Sequence, residues 1–260
     1  MSDYTLRDLE LAGVRWELSD TAIMTPRPSV SSSAVVEPSP RTAAATIMAE
    51  VGRTAASVVP PIAPTVTMSV DTVRAMASRP NDMATLSRMI GEFNHPLRGT
   101  ATNTVLPHIG DGKMLILTDI PSPDDDASGN ILTGAVGELM DKMLAAIGLS
   151  RANVSIVPML FWRTPGGRTP SDTELSLARP FVDRAIELLR PRVILTLGTL
   201  PAAQIANINL GKSHGVPVTL EKGTTLVPIY HPNYLMLKPA AKRDVWNALQ
   251  NVQNILKSAE

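Results

Sequence analysis

Apolar residues are distributed along this chain in two ways. From residue 113 onward, short unbroken apolar runs alternate with longer stretches in which apolar positions recur every three or four residues. The runs are MLILTD (Met114–Asp119), VSIVPMLF (Val154–Phe161), VILTLG (Val193–Gly198) and the middle of Thr224–Leu237, TTLVPIYHPNYLML. Runs of this length without polar alternation predict strands buried on both faces, and hence a mainly parallel sheet. The stretches between them predict helices over Ile131–Ile147, Ser171–Leu189, Leu200–Ile208 and Pro239–Lys257. Leu139, Met140, Met143 and Leu144 face inward in the first; Val245, Leu249, Val252 and Leu256 do so in the last. Ser171 followed by Glu174 reads as a capping box. VPVTLEKGTTLVPIYH predicts a hairpin-like stretch feeding the fourth strand, while PSPDDDASGN and RTPGGRTP read as loops. Strand alternating with helix gives the fold class: α/β, a three-layer α/β/α sandwich with a mainly parallel four-stranded central sheet.

Upstream the pattern changes. DTVRAMASRPNDMATLSRMIGEF predicts two helical pieces broken around Arg79-Pro80, the second placing Met83, Leu86, Met89 and Ile90 on one face. From about Thr25 to Thr67 the chain is rich in Pro, Ser, Ala and Thr and offers few bulky residues to bury, so a disordered linker is expected, with a brief helix over Thr42–Ala56. Leu6, Leu9, Leu11, Val14 and Leu18 fit a short amphipathic helix. The expected division is 1–24, N-terminal helix; 25–70, linker; 71–260, the α/β domain.

Composition narrows the function. The chain has 260 residues with 24 basic against 24 acidic, which argues against a large non-specific grip on DNA. It has no cysteine, which excludes disulfides, thiolate catalysis and cysteine-ligated zinc or iron–sulfur sites. His95, His108, His214 and His231 form no close-spaced ligand pair, so no metal is expected. Neither GxGxxG nor GxxxxGK[ST] follows a strand, which argues against nucleotide binding. No apolar run approaches a membrane span, and the first residues lack a basic region before an apolar core. A cytoplasmic location is the resulting expectation.

Two strand ends carry candidate chemistry. Ligands of open α/β sheets bind beyond the carboxyl ends of the strands. Asp119 ends the first strand and His231-Pro232 ends the last. A carboxylate and an imidazole converging there could orient a water and stabilise a leaving anion. On spacing alone each also has an ordinary reading, Asp119 as a turn former or helix cap and His231-Pro232 as plain loop.

Five blocks in order weigh against that ordinary reading: TATNTV (Thr100–Val105), TDIPSPDDDASGNILTGAVGELMD, RTPGGRTP with ELSLARPF, VILTLG, and YHPNYLMLKPAAKRDVWNAL. Through them, from about Glu92 to Leu256, the chain resembles the bacterial uracil-DNA glycosylases of the iron–sulfur type. The resemblance implies hydrolysis of the base–deoxyribose bond with the base flipped out of DNA. Asp119 would orient water, and His231 would bond the uracil carbonyl and stabilise the departing base. Backbone groups around Ile120, Pro121 and Ser122 would hold the base edge, with Asp125 as a second acid. Leu132 falls where the family stacks an aromatic on the base, and Pro158 where an Asn reads its edge. A loop with Asn233 and Tyr234 would wedge the minor groove. Arg163, Arg168, Lys238, Lys242 and Arg243 are the candidate phosphate contacts, the last two reading equally as ordinary solvated surface. The four cluster cysteines fall at Glu92, His95, Trp162 and Ala178, so the cluster is expected to be absent, no cofactor is expected, and Trp162 becomes packing filler. The expected partner is DNA, with a protein partner through the N-terminal arm, no membrane, and a monomeric chain. The alternative is a catalytically silent relative that binds DNA or protein; the Asp124–Asp126 run, which would repel phosphate, favours it.

Overall fold

The computed structural model describes residues 68–220 and 223–258. The N-terminal helix expected over 1–24 and the linker expected from 25 as far as 67, with the short helix inside it, lie outside the described residues. Helices α1 (Val70–Ala77) and α2 (Met83–Glu92) come first. They are separated at Ser78–Asp82, and Asp82 caps α2 by accepting the Thr85 N–H. The strands are β1 (Met114–Thr118), β2 (Val154–Pro158), β3 (Val193–Leu197), β4 (Val218–Thr219) and β5 (Thr225–Ile229). The remaining helices are α3 (Pro123–Ser128), α4 (Gly134–Ala146), α5 (Asp172–Leu189), α6 (Thr199–Ala206), α7 (Leu210–Ser213), α8 (Pro232–Leu237) and α9 (Lys242–Lys257).

The sheet runs β2-β1-β3-β5-β4, parallel except for the last pair. It therefore has five strands rather than the expected four. The fifth is the short first arm of the hairpin, too brief in apolar residues to register as a run. Pro228 sits inside β5 without disrupting it. The Thr225 N–H points toward β3, so alternate residues Leu226 and Pro228 face β4, which pairs only as far as Leu226. The N–H that proline lacks thus falls where no strand needs it.

Side-chain alternation sorts each all-apolar strand into two cores. Met114 and Ile116 of β1 pack with Met140, Met143 and Leu144 of α4, Leu235 of α8, and Val245 and Leu249 of α9. Leu115 and Leu117 pack on the opposite face with Val73, Leu86 and Ile90 from α1 and α2, and with Phe181 and Val182 of α5. This is the three-layer α/β/α sandwich.

Two local readings are corrected. The stretch PSPDDDASGN is not a plain loop but contains α3. Ser122 is its N-cap, Pro123 its first residue, Asp125 completes a capping box, and Gly129 closes it with φ 72°. Next, α4 starts at Gly134 rather than Ile131. Leu132 and Gly134 both have positive φ, 51° and 63°, which turns the chain before the helix can begin.

The corner where the resemblance places four cysteines is apolar and aromatic. Glu92 is exposed, while His95, Trp162 and Ala178 are buried. The His95 and Trp162 rings stack, 4.5 Å between centroids and 6° from parallel, with Phe93 tilted against both. Nδ1 of His95 accepts the Leu97 N–H, and its Nε2 lies 3.1 Å from the Glu174 carbonyl. Trp162 donates to Thr104 Oγ1. With both imidazole nitrogens engaged, no donor on Ala178 and no thiolate in the chain, these residues do not fit an iron–sulfur cluster.

Candidate active site

The carboxyl ends of β1 and β5 flank that of β3; Thr118 ends β1, Gly198 follows β3, and Tyr230-His231 follow β5. A cleft of about 420 Å³ opens there. Its walls bring together Asp119, Ile120, Pro121, Ser122, Asp125, Leu132, Arg163, His231 and Asn233, all singled out from the sequence. Thr118, Asp124, Val136 and Gly167 join them. Pro158, Arg168, Tyr234 and Lys238 are not among the lining residues.

His231 is the N-cap of α8, so the segment after it is a helix rather than the expected loop. Its Nδ1 accepts the Asn233 N–H at 3.2 Å. A backbone amide can only donate, so Nδ1 carries the lone pair and the neutral ring keeps its proton on Nε2. That Nε2 lies 3.3 Å from Thr118 Oγ1 at the end of β1. Burial lowers the imidazole's pKa to about 4, against a smaller opposing pull from the Asp125 carboxylate. At neutral pH His231 is therefore an uncharged N–H donor facing the cleft.

Asp119 is shifted the other way. Burial raises its pKa above the ordinary value, partly offset by the Ile120 N–H that Oδ1 accepts at 2.9 Å. Gly198, at the end of β3, lies between the two groups. A Cβ placed there would stand 3.5 Å from the His231 Cβ and 3.7 Å from Asp119 Oδ2. Its φ of 92° is one that only glycine adopts without strain. Gly198 was read from the sequence as a strand end only. Its position at the end of the strand between β1 and β5 was the available signal.

The loop from Ser122 to Thr133 is knotted around Asp125. Oδ2 accepts the Ser122 N–H, and Oδ1 accepts both the N–H and the hydroxyl of Thr133 at 2.7 Å. Asp125 thus holds the wall rather than meeting a base. The same bonds correct a second expectation: the Ile120 and Ser122 N–H groups are committed to Asp119 and Asp125 and are not presented to a base edge. Pro158 ends β2 in register with Thr118, buried behind the wall it was expected to belong to. Leu132 does line the cleft. Arg151 fixes its strained backbone by donating from Nη1 to the Ile131 carbonyl and from Nη2 to the Leu132 carbonyl, with Nε on Asp141.

The acidic run is less repulsive than its sequence implies. Asp125 is buried and bonded, and Asp126 accepts the Thr102 and Asn103 N–H groups, leaving Asp124 exposed at the cleft. Arg163 faces the same cleft and takes part in none of the ion pairs among the described residues. Arg168 is committed instead. Its guanidinium grips both oxygens of Glu174, at 2.9 and 2.5 Å, and the ion pair holds that carboxyl down at about 2. It staples the RTPGGRTP loop to the start of α5 and is not free for phosphate. On α8, Tyr234 is exposed with the Lys238 ammonium 5.7 Å above its ring, and Met236 and Leu237 are more exposed still.

A carboxylate that resists desolvation and a neutral imidazole donor thus share one cleft. The pair suits a bond that breaks into a cationic and an anionic half. Comparison with known proteins agrees with this geometry. The family model described as the uracil DNA glycosylase superfamily matches residues 107–250. A type-4 uracil-DNA glycosylase of Archaeoglobus fulgidus is 31% identical over 159 residues, which cover 57% of this chain and 79% of that protein. One from Thermotoga maritima is 28% identical over 148 residues, covering 54% and 76%. One from Pyrobaculum aerophilum is 29% identical over 150 residues, covering 51% and 74%. The matched region holds β1, β3, β5 and both Asp119 and His231, and on these grounds the chain belongs to the uracil DNA glycosylase superfamily.

Proposed function

We propose that the protein hydrolyses the N-glycosidic bond of uracil or another damaged base in DNA, as a step of base excision repair. The observation that carries the reading is the placement of Asp119 and His231 in one cleft with opposite electrostatic needs. A water oriented by Asp119 attacks C1′ of the sugar. The bond to the base nitrogen breaks, and its electron pair leaves with the base. His231 Nε2–H donates to the base carbonyl on which that charge collects. The ionised Asp119 faces the positive charge developing on the sugar, and the proton of the water passes through it to solvent.

Arg163 at the cleft and Lys238 just after α8 would contact phosphates. Exposed Met236 and Leu237, with Tyr234, would wedge into the duplex where the base leaves it. The domain works without an iron–sulfur cluster, its corner held by the His95–Trp162 stack. The competing reading, a silent relative that binds DNA or protein, draws on the exposed Asp124 at the mouth.

An excision assay decides between them. Oligonucleotides carrying uracil or hypoxanthine, single- and double-stranded, should yield abasic sites with the wild-type protein. Asp119→Asn and His231→Ala should each abolish the product. No cleavage of any substrate at high protein concentration would leave the silent reading.

A further inference from the structure

We propose that Thr118 is a second donor to the carbonyl of the departing base, its hydroxyl converging with His231 Nε2–H on that one oxygen. The inference rests on the proposed glycosylase reading and adds a residue to its site. Side-chain alternation puts the two groups on one face of the sheet. Met114 and Ile116 of β1, Leu195 and Leu197 of β3, and Val227 and Ile229 of β5 all pack into the core that takes in α4, α8 and α9. Two residues further along, the same alternation brings Thr118 and His231 to that face, at the carboxyl ends of β1 and β5. With β3 between them, their backbones stand about 10 Å apart, two strand spacings. Gly198, which follows β3, puts no side chain into that gap; a Cβ there would meet the His231 Cβ at 3.5 Å. The imidazole therefore crosses the end of β3, and its Nε2 comes within 3.3 Å of Thr118 Oγ1.

The proton inventory assigns the roles. Nε2 carries the imidazole proton, because Nδ1 accepts the Asn233 N–H. Nε2–H therefore donates to Thr118 Oγ1, and the hydroxyl keeps its own proton to give. Among the described residues, the bond to His231 is the one hydrogen bond of that hydroxyl. Thr118 is 4% exposed and lines the cleft, so the acceptor for its proton is supplied by what enters there. The His231–Thr118 bond is long for an N–H···O bond and holds the imidazole proton weakly. A base carbonyl lying against both groups gathers charge as the glycosidic bond breaks and becomes the stronger acceptor. Nε2–H is then drawn to it, and the Thr118 hydroxyl, released as an acceptor, rotates to donate to the same oxygen. Neither proton is transferred; the base leaves as an anion held by two hydrogen bonds. Both bonds strengthen as the charge develops, which lowers the barrier without tightening substrate binding.

Single-turnover excision of uracil and 5-fluorouracil by the wild type, Thr118→Val, Thr118→Ala and Thr118→Ser tests this. The first two variants remove the hydroxyl, with and without its volume; the third keeps it. Thr118→Val and Thr118→Ala should each lower the uracil rate at saturating protein about 10²-fold, the loss expected for one donor to a developing oxyanion. The protein concentration giving half that rate should stay within about threefold of wild type, since the bond belongs to the transition state. Thr118→Ser should recover the rate to within about fivefold of wild type. On 5-fluorouracil, whose anion needs less stabilisation, the loss in Thr118→Val should be at least about fivefold smaller than on uracil. A merely distorted site would slow both bases alike. A Thr118→Val rate within about threefold of wild type, Thr118→Ser as slow as Thr118→Val, or equal losses on the two bases would overturn the inference and leave the glycosylase reading in place. No excision of either base by the wild-type protein would take down the glycosylase reading and this inference with it.

Discussion

His231 can donate to a departing base only while its ring is neutral with the proton on Nε2. Burial secures the first condition and the Asn233 N–H the second. Asp119 must be ionised in the same cleft, yet burial works against it. Both requirements fail on the acid side. As pH falls, Asp119 protonates from above its ordinary value and His231 from about 4. The pH profile of kcat/KM should therefore fall on the acid side, where both groups take up protons. A loss of kcat/KM as pH rises through neutrality would contradict the assignment. Asp119 should also be a stability cost. Its folded pKa lies above its unfolded one, so the charged form destabilises the fold at pH 7 and the cost disappears in acid below the unfolded value. Asp119→Asn should abolish excision while raising stability by about 1 kcal/mol, read from denaturant unfolding. A loss of both stability and activity would mean that the carboxylate is structural.

The four parallel strands and α5 were legible as elements, because unbroken apolar runs and a Ser-x-x-Glu capping box are local signals. Helix α3 was not, because three aspartates outweighed an equally local cue, Ser122-Pro123 with Asp125 three residues after the cap. The commitment of the Ile120 and Ser122 amides was not legible at all, since it depends on which way two carboxylates turn. Asp125 is where that element can be tested. Its carboxylate satisfies the Ser122 N–H and the N–H and hydroxyl of Thr133, and removing it leaves these donors without partners. Asp125→Ala should cost about 3 kcal/mol in denaturant unfolding. It should also speed hydrogen exchange between Ser122 and Thr133 before any change in the sheet. The Arg168–Glu174 staple gives a pH test on the other wall. Glu174 titrates near 2 when folded and near 4.5 when free, so the pair stabilises the fold above the free value. The stability gap between wild type and Arg168→Ala should be constant above pH 4.5 and shrink as pH falls toward 2. A gap that persists unchanged to pH 2 would mean that Arg168 acts by packing alone.

At the scale of the whole molecule, one change in the family pattern matters most. The α2 end, the exit of β2 and the start of α5 meet at a single corner, and the RTPGGRTP loop beside it carries Arg163 to the cleft. Trp162 was legible as a filler of that corner, whereas its partner was not: His95 reads only as the position of a lost cluster cysteine and as one of four histidines that form no ligand pair. In the fold His95 stacks on Trp162 and ties the Leu97 amide to the Glu174 carbonyl, so it links the segment after α2 to α5. Glu174 in turn holds Arg168 and the loop. Aromatic packing thus joins the three segments at the corner where the resemblance places a cluster. The prediction has two arms. Exhaustive chelation should leave both the melting temperature and excision unchanged, with no iron found in the purified protein. Trp162→Ala should destabilise the domain by about 3–5 kcal/mol, the cost of emptying a fully buried aromatic site. Trp162→Phe, which keeps a ring over His95 and loses the bond to Thr104, should recover much of that loss. Iron bound in proportion to protein, or a melting temperature lowered by chelation, would show that a metal and not the stack closes this corner.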